Sequence, residues 1–317
     1  MNQRLVILAP NWLGDAVMAL PAIADVRRAQ PDATIAVAAR PSVAPLFALV
    51  DGIDASLPLT RDAHETLAGF DAALLLPNAF RPALAAWRAR VPERWGYRAD
   101  GRALLLTRSV ARPHASLHQV EYYQRLVAAL GFANGPSTPR VTVTDGARAD
   151  GARLLASAGW NGRAPLVALA PGAAYGGAKR WPPEYFAALA ADLARDGVQT
   201  VMVGSAADAP ATRAIGATFD LVGKTDLPAL AGVFVHCRTL VTNDSGAMHL
   251  AAAAGVAVTA VFGPTRDRET RPIGDRHAVL THDVWCRPCM LRDCPLDHRC
   301  MRGIDPAAVA ASARRTL

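Results

Sequence analysis

The run Thr239-Leu240-Val241, then Thr242-Asn243-Asp244-Ser245-Gly246-Ala247-Met248-His249, then Leu250-Ala251-Ala252-Ala253-Ala254, constrains the fold most. The apolar triplet reads as a strand and the alanine-rich run as a helix that Gly255 ends. Asp244, Ser245 and Gly246 therefore fall where a strand hands over to a helix. That is the edge at which open α/β sheets bind ligands. A helix N-terminus presents unpaired backbone N–H groups and a partial positive charge, which suit a phosphate. Ser245 stands where a cap would stand, and Gly246 lets a ligand come close to the backbone. Taken alone, the stretch is equally well an ordinary capped helix.

The same hand-over recurs along the chain. Residues 4–9 read as a buried strand and Pro10-Asn11-Trp12-Leu13-Gly14-Asp15 as a turn. A helix follows over 16–29, stopped by Pro31, which puts Asp15 at a helix start. The turn holds a single glycine, so the G-x-G-x-x-G of dinucleotide binders is absent and a nicotinamide enzyme is disfavoured. Strands are expected at 34–39, 72–76, 141–144, 166–170, 199–203, 221–222 and 258–262. Helices are expected at 43–49, 82–90, 118–130, 148–158, 183–195 and 227–235, with a closing helix that Asp305 caps and Pro306 begins. The alternation gives an α/β fold of two Rossmann-like domains with parallel sheets. Residues 134–139, Asn-Gly-Pro-Ser-Thr-Pro, mark the linker, dividing the chain into 1–140 and 141–317. A length of 317 residues suits two cores better than one.

The net charge of +7 points to an anionic partner. Eight arginines lie between Arg81 and Arg112, opposed only by Glu93 and Asp100. They form either a solvated basic face or a surface for an anionic acceptor or lipid head groups. The aromatics among them, Trp87, Trp95 and Tyr97, are too sparse for nucleic-acid binding. No signal peptide or membrane-spanning run is evident, so a cytoplasmic protein is expected. Cys286, Cys289, Cys294 and Cys300 follow a C-x2-C-x4-C-x5-C spacing, with His298 as a spare ligand. They suit a structural zinc or iron, or else reduced thiols packed in an irregular tail.

The loop 171–182 is rich in small residues and carries Lys179 and Arg180. A point charge beside a planar fork suits a diphosphate, whereas a surface loop with solvated charges is the plainer alternative. There is no G-x-x-x-x-G-K-[ST] and no D-x-D. A bound diphosphate would be balanced by Lys179, Arg180 and the helix start at Ser245, without a divalent ion. His249, one turn further on, reads as a packed histidine rather than a phosphate ligand.

Three motifs then come together: Asn11-Trp12-Leu13-Gly14-Asp15-Ala16-Val17-Met18, Gly177-Ala178-Lys179-Arg180-Trp181-Pro182, and Asn243-Asp244-Ser245-Gly246-Ala247-Met248-His249. With Leu76-Pro77-Asn78 and Phe262-Gly263-Pro264, they resemble the lipopolysaccharide heptosyltransferases over nearly the whole chain, most of all the heptosyltransferase II branch. The resemblance implies a GT-B fold, its two sheets facing across a cleft. Residues 1–140 would bind the acceptor and 141–317 the ADP-sugar, with 285–300 as a Cys-rich tail. It implies Asp15 as catalytic base and Lys179 on the donor diphosphate. Asp244 would bind heptose hydroxyls, and the N–H groups of Ser245 and Gly246 would meet phosphate. Arg180, Met248, His249 and Thr225 would lie on the donor side, and Asn11, Trp12 and Arg81 on the acceptor side. The reaction would be inverting and need no cofactor. Its partners would be ADP-heptose and a heptose/Kdo–lipid A acceptor, met by peripheral contact with the cytoplasmic face of the inner membrane. Transfer to a protein or another glycan, and nucleotide-sugar binding without turnover, are the alternatives. One tension stands: a helix N-terminus stabilises the ionised Asp15, which weakens it as a base unless burial or the timing of proton transfer compensates.

Overall fold

The computed structural model describes residues 3–59 and 63–317. The chain divides into two compact units, Met1–Thr142 and Val143–Leu317. Each is built on a six-stranded sheet in which every pairing is parallel.

In the first unit the strands are β1 (Arg4–Leu8), β2 (Thr34–Ala39), β3 (Ala55–Pro58), β4 (Ala72–Leu75), β5 (Glu93–Tyr97) and β6 (Arg108–Val110). Their spatial order is β3-β2-β1-β4-β5-β6. Leu5 pairs with Ile35 on one side and Ala72 on the other. Val6 and Ile7 are fully buried, because a central parallel strand is covered on both faces; hence its unbroken apolar run. The order reverses between β1 and β4, and Asp15 leaves the sheet at that point in the helix Leu13–Met18.

In the second unit the strands are β7 (Leu166–Ala170), β8 (Gln199–Met202), β9 (Phe219–Asp220), β10 (Thr239–Asn243), β11 (Ala257–Phe262) and β12 (His277–Thr281). The order is β12-β11-β10-β7-β8-β9. Here the reversal lies between β7 and β10, which pair through Leu169 with Val241 and Ala170 with Thr242. The loop 171–182 follows β7, and Asp244 follows β10, so both leave adjacent strands at the switch point. One face of this sheet is covered by Trp181, Phe186, Leu189, Met301 and Val309. The closing helix Pro306–Arg314 starts as expected, with the Asp305 carboxylate accepting the Ala307 N–H at 3.0 Å.

Several expectations are corrected. The helix expected over 16–29 is two helices, Leu13–Met18 and Leu20–Ala29, because Pro21 has no N–H to continue the first. Residues 141–144 form no strand. Thr144 instead caps the helix Asp145–Ser157, its hydroxyl accepting the Ala147 N–H at 3.2 Å. Strands β3, β5, β6 and β12 were not foreseen. The arginine-rich stretch 81–112 is not one solvated face. Arg102 is fully buried, with Nε donating to the Tyr97 carbonyl at 3.0 Å and Nη1 to the carbonyls of Pro77 and Ala79. Burial pushes its pKa down to about 10. Arg94 donates through Nε to the Leu105 carbonyl at 2.6 Å.

Candidate functional site

Asn243, the last residue of β10, is fully buried and ties both ends of the loop 171–182. Its Nδ2 donates to the Pro171 carbonyl at 2.7 Å, and its Oδ1 accepts the Trp181 N–H at 3.0 Å. The loop is thereby pinned at entry and exit. Between the two pins the short 3-10 turn Gly177–Lys179 delivers the lysine.

Lys179 Nζ donates to Asp244 Oδ2 at 2.6 Å, with side chains only 14% and 7% exposed. The hydroxyl of buried Thr265, just past β11, donates to the same oxygen at 2.7 Å. The Lys179 ammonium also lies 4.8 Å from the centre of the Tyr175 ring. Three chain segments thus meet at one carboxylate. Asp244 orients the ammonium within this cluster. Arg180 is half-buried, and its Nε is buried without a hydrogen-bond partner.

Ser245 occupies the N-cap position of the helix Gly246–Ala253, but its hydroxyl does not cap it. It turns back to Thr242 Oγ1 at 3.1 Å. The expected cap is therefore corrected, and the first-turn N–H groups are not taken up by that hydroxyl. Ser245, Gly246 and Ala247 are half-buried, whereas Met248 is fully buried and His249 nearly so. His249 is engaged with a neighbour. Thr225 is half-buried in the turn before the helix Leu227–Phe234, which Asp226 caps by accepting the Ala229 N–H at 2.8 Å.

In the first unit Asp15 lies in the first turn of its helix, half-buried and engaged. Burial, and then the charge of Asp15, raise the pKa of the buried Tyr123 phenol. Asn11 and Trp12 are exposed just before Asp15, and Arg81 is exposed in the helix Phe80–Arg88. Asn78 donates to the Tyr122 hydroxyl at 2.8 Å.

Cys286, Cys289, Cys294 and Cys300 line one cavity of about 20 Å³, with Ala178 and Pro264 also in its wall. Burial and the neighbouring thiols raise the Cys300 pKa. Among the described residues no group of three or more His, Cys, Asp or Glu is set to hold an ion as it stands.

Asn243, Thr265 and Tyr175 were missed from the sequence. Asn243 stands at the head of the motif 243–249 but carries no role of its own in the sequence reading. The one signal for Thr265 was its place after Gly263-Pro264, where a buried strand ends.

Two doubly wound parallel units, the second with a lysine-bearing loop over a helix start at its switch point, define an α/β protein of the GT-B class. The chain belongs to glycosyltransferase family 9 (heptosyltransferase), whose model matches residues 63–299. It is 28% identical to lipopolysaccharide heptosyltransferase 2 of Salmonella typhimurium over 307 residues, 87% of each chain. It is 28% identical to lipooligosaccharide heptosyltransferase 2 of Haemophilus influenzae, covering 87% of this chain and 88% of that one. The solved structure of the ADP-heptose LPS heptosyltransferase II of E. coli superposes with a TM-score of 0.85 at 27% identity, over 99% of this chain and 98% of that chain. Among the described residues no helix is long and apolar enough to cross a membrane.

Proposed function

We propose that this glycosyltransferase is inverting and moves heptose from ADP-heptose onto the heptose/Kdo inner core of lipopolysaccharide, in the manner of a heptosyltransferase II. The observation that carries this reading is the meeting of Lys179, Asp244 and Thr265 beside an uncapped helix start. Such a site suits a leaving diphosphate. As the bond from the anomeric carbon to ADP breaks, charge develops on the phosphate oxygens. A preorganised ammonium and backbone N–H groups meet it without reorganising. Asp244 is the partner for heptose hydroxyls, with Arg180 and Thr225 beside the nucleotide. Met248 and His249 serve by packing the helix that offers its N–H groups.

On the acceptor side, Asp15 takes the proton of the acceptor hydroxyl as that oxygen attacks the anomeric carbon. ADP leaves from the opposite face, so configuration inverts. Asn11, Trp12 and Arg81 flank the acceptor. Asp15 stands half-buried in the first turn of its helix and is engaged with a neighbour. No divalent ion is assigned to the transfer. A structural zinc or iron at the four thiols belongs to the same proposal, supported by their shared cavity and their spacing. The net charge of +7 supports peripheral contact with the anionic cytoplasmic face of the inner membrane.

The test is mass spectrometry of a heptose-primed Kdo–lipid A acceptor incubated with ADP-heptose, for wild type and Asp15→Ala. A gain of one heptose with wild type alone is expected. A gain with both proteins would remove Asp15 as the base. A gain with neither, while ADP-heptose still binds, would redirect the search to a protein or other glycan acceptor, or to a binding protein.

A further inference from the structure

The segment 285–300 has no part in the reaction above, yet it is bonded to both loops that build the donor site. On one side, the Tyr175 hydroxyl donates to the Met290 carbonyl at 2.9 Å, and the Ala178 N–H donates to the Arg292 carbonyl at 2.9 Å. The approach is close: a Cβ on Gly176 would come within 2.3 Å of the Arg292 carbonyl oxygen, so only glycine fits beneath the segment. On the other side, the Met290 N–H donates to the Pro264 carbonyl at 2.9 Å and Arg287 Nε to the Gly263 carbonyl at 3.0 Å. These are the residues just before Thr265. The thiol cavity lies between the same two loops, walled by Ala178 and Pro264.

The charges are arranged around Tyr175. Its ring carries the Lys179 ammonium at 4.8 Å and the Arg292 guanidinium at 5.2 Å. Arg292 enters no ion pair among the described residues. Lys179, by contrast, already has its charge matched by Asp244 at 2.6 Å. A diphosphate arriving at this neutral pair needs further positive charge, and Arg292 brings it on a segment bonded to the lysine's own turn. The lysine stem is flexible, and a three-residue 3-10 turn cannot hold it alone. A ring whose hydroxyl is anchored to the opposing segment restricts it.

We propose that residues 285–300 form a strap that positions Lys179 for the donor diphosphate, acting through Tyr175, and that Arg292 supplies the site's additional positive charge. Tyr175 is a positioning residue, since it acts through the lysine. The inference rests on the donor site proposed above and adds to it a role for the Cys-rich segment.

The test is calorimetric binding of ADP, AMP and adenosine to the full chain, for wild type, Tyr175→Leu, Tyr175→Phe, Arg292→Ala and Arg292→Lys. Tyr175→Leu and Arg292→Ala should each weaken ADP about tenfold, the order expected for one charge-assisted contact, and leave adenosine unchanged. Tyr175→Phe keeps the ring and should lose less. Arg292→Lys keeps the charge and should recover most of the loss. In turnover assays the two strongly affected variants should raise KM for ADP-heptose much more than they lower kcat. Equal ADP affinity across all variants would overturn the strap while leaving the donor site standing. So would parallel losses for ADP and adenosine, which would mark general loosening. Failure of wild type to bind ADP would remove the donor site and the strap together.

Discussion

Lys179 and Asp244, 65 residues apart, meet at 2.6 Å with both side chains nearly buried. Taking away one partner leaves the other charge without its counter-ion in a place water reaches poorly. Asp244→Asn should therefore cost about 3 kcal/mol of stability, read as a drop in the urea midpoint at neutral pH. The double variant Lys179→Met/Asp244→Asn should recover much of that. Strict additivity of the two single losses would show that the pair is not coupled.

Asn243 closes the loop that carries the lysine, through one bond at each end. Asn243→Ala leaves the Pro171 carbonyl and the Trp181 N–H without that partner. The expected loss is about 2 to 3 kcal/mol. KM for ADP-heptose should rise with it, because Lys179 is no longer delivered to Asp244. A variant that lost stability with KM unchanged would separate the loop's closure from its function.

His277 at the start of β12 sets a pH dependence. Burial, and after it the charge of Arg276, hold its pKa below the ordinary value of 6.5. The unfolded chain thus takes up the proton first. The stability contributed by neutral His277 is complete above pH 6.5 and is lost as pH falls below that value toward the folded-state pKa. Urea midpoints should fall more steeply over that window in wild type than in His277→Gln. Identical slopes would remove His277 as the source.

The four cysteines should retain an equivalent of zinc or iron through purification. Removing it with a chelator should lower the melting temperature, and Cys286→Ser/Cys289→Ser should abolish retention. Elemental analysis decides the matter: a chain free of metal that also fails to take up added zinc would leave only reduced thiols around their cavity.

Much of the architecture was legible because its signals are local. The buried runs 35–39 and 166–170 are unbroken apolar stretches, and the helix Pro183–Arg195 begins at a proline. Asp305 and Pro306 start the last helix by short-range chemistry that needs no tertiary partner. The missed strands β6 and β12 lie at sheet edges, where partial exposure removes the apolar run. β5 carries Glu93 and Arg94 at its start and read as part of a basic face.

By itself, the sequence determined the α/β alternation, the placing of Asp15 and Asp244 after strands, and a cation-bearing loop near a helix start. These depend on periodicity and on residues a few positions apart. Only the tertiary structure decided which groups those residues touch. It buried Arg102 among carbonyls, turned the Ser245 hydroxyl to Thr242 and away from its own helix, and brought Thr265 to Asp244. It also laid the Cys-rich segment across the lysine's loop through Met290 and Arg292. Such partners are chosen by sheet order and by which loops leave neighbouring strands, and spacing along the chain carries no record of either.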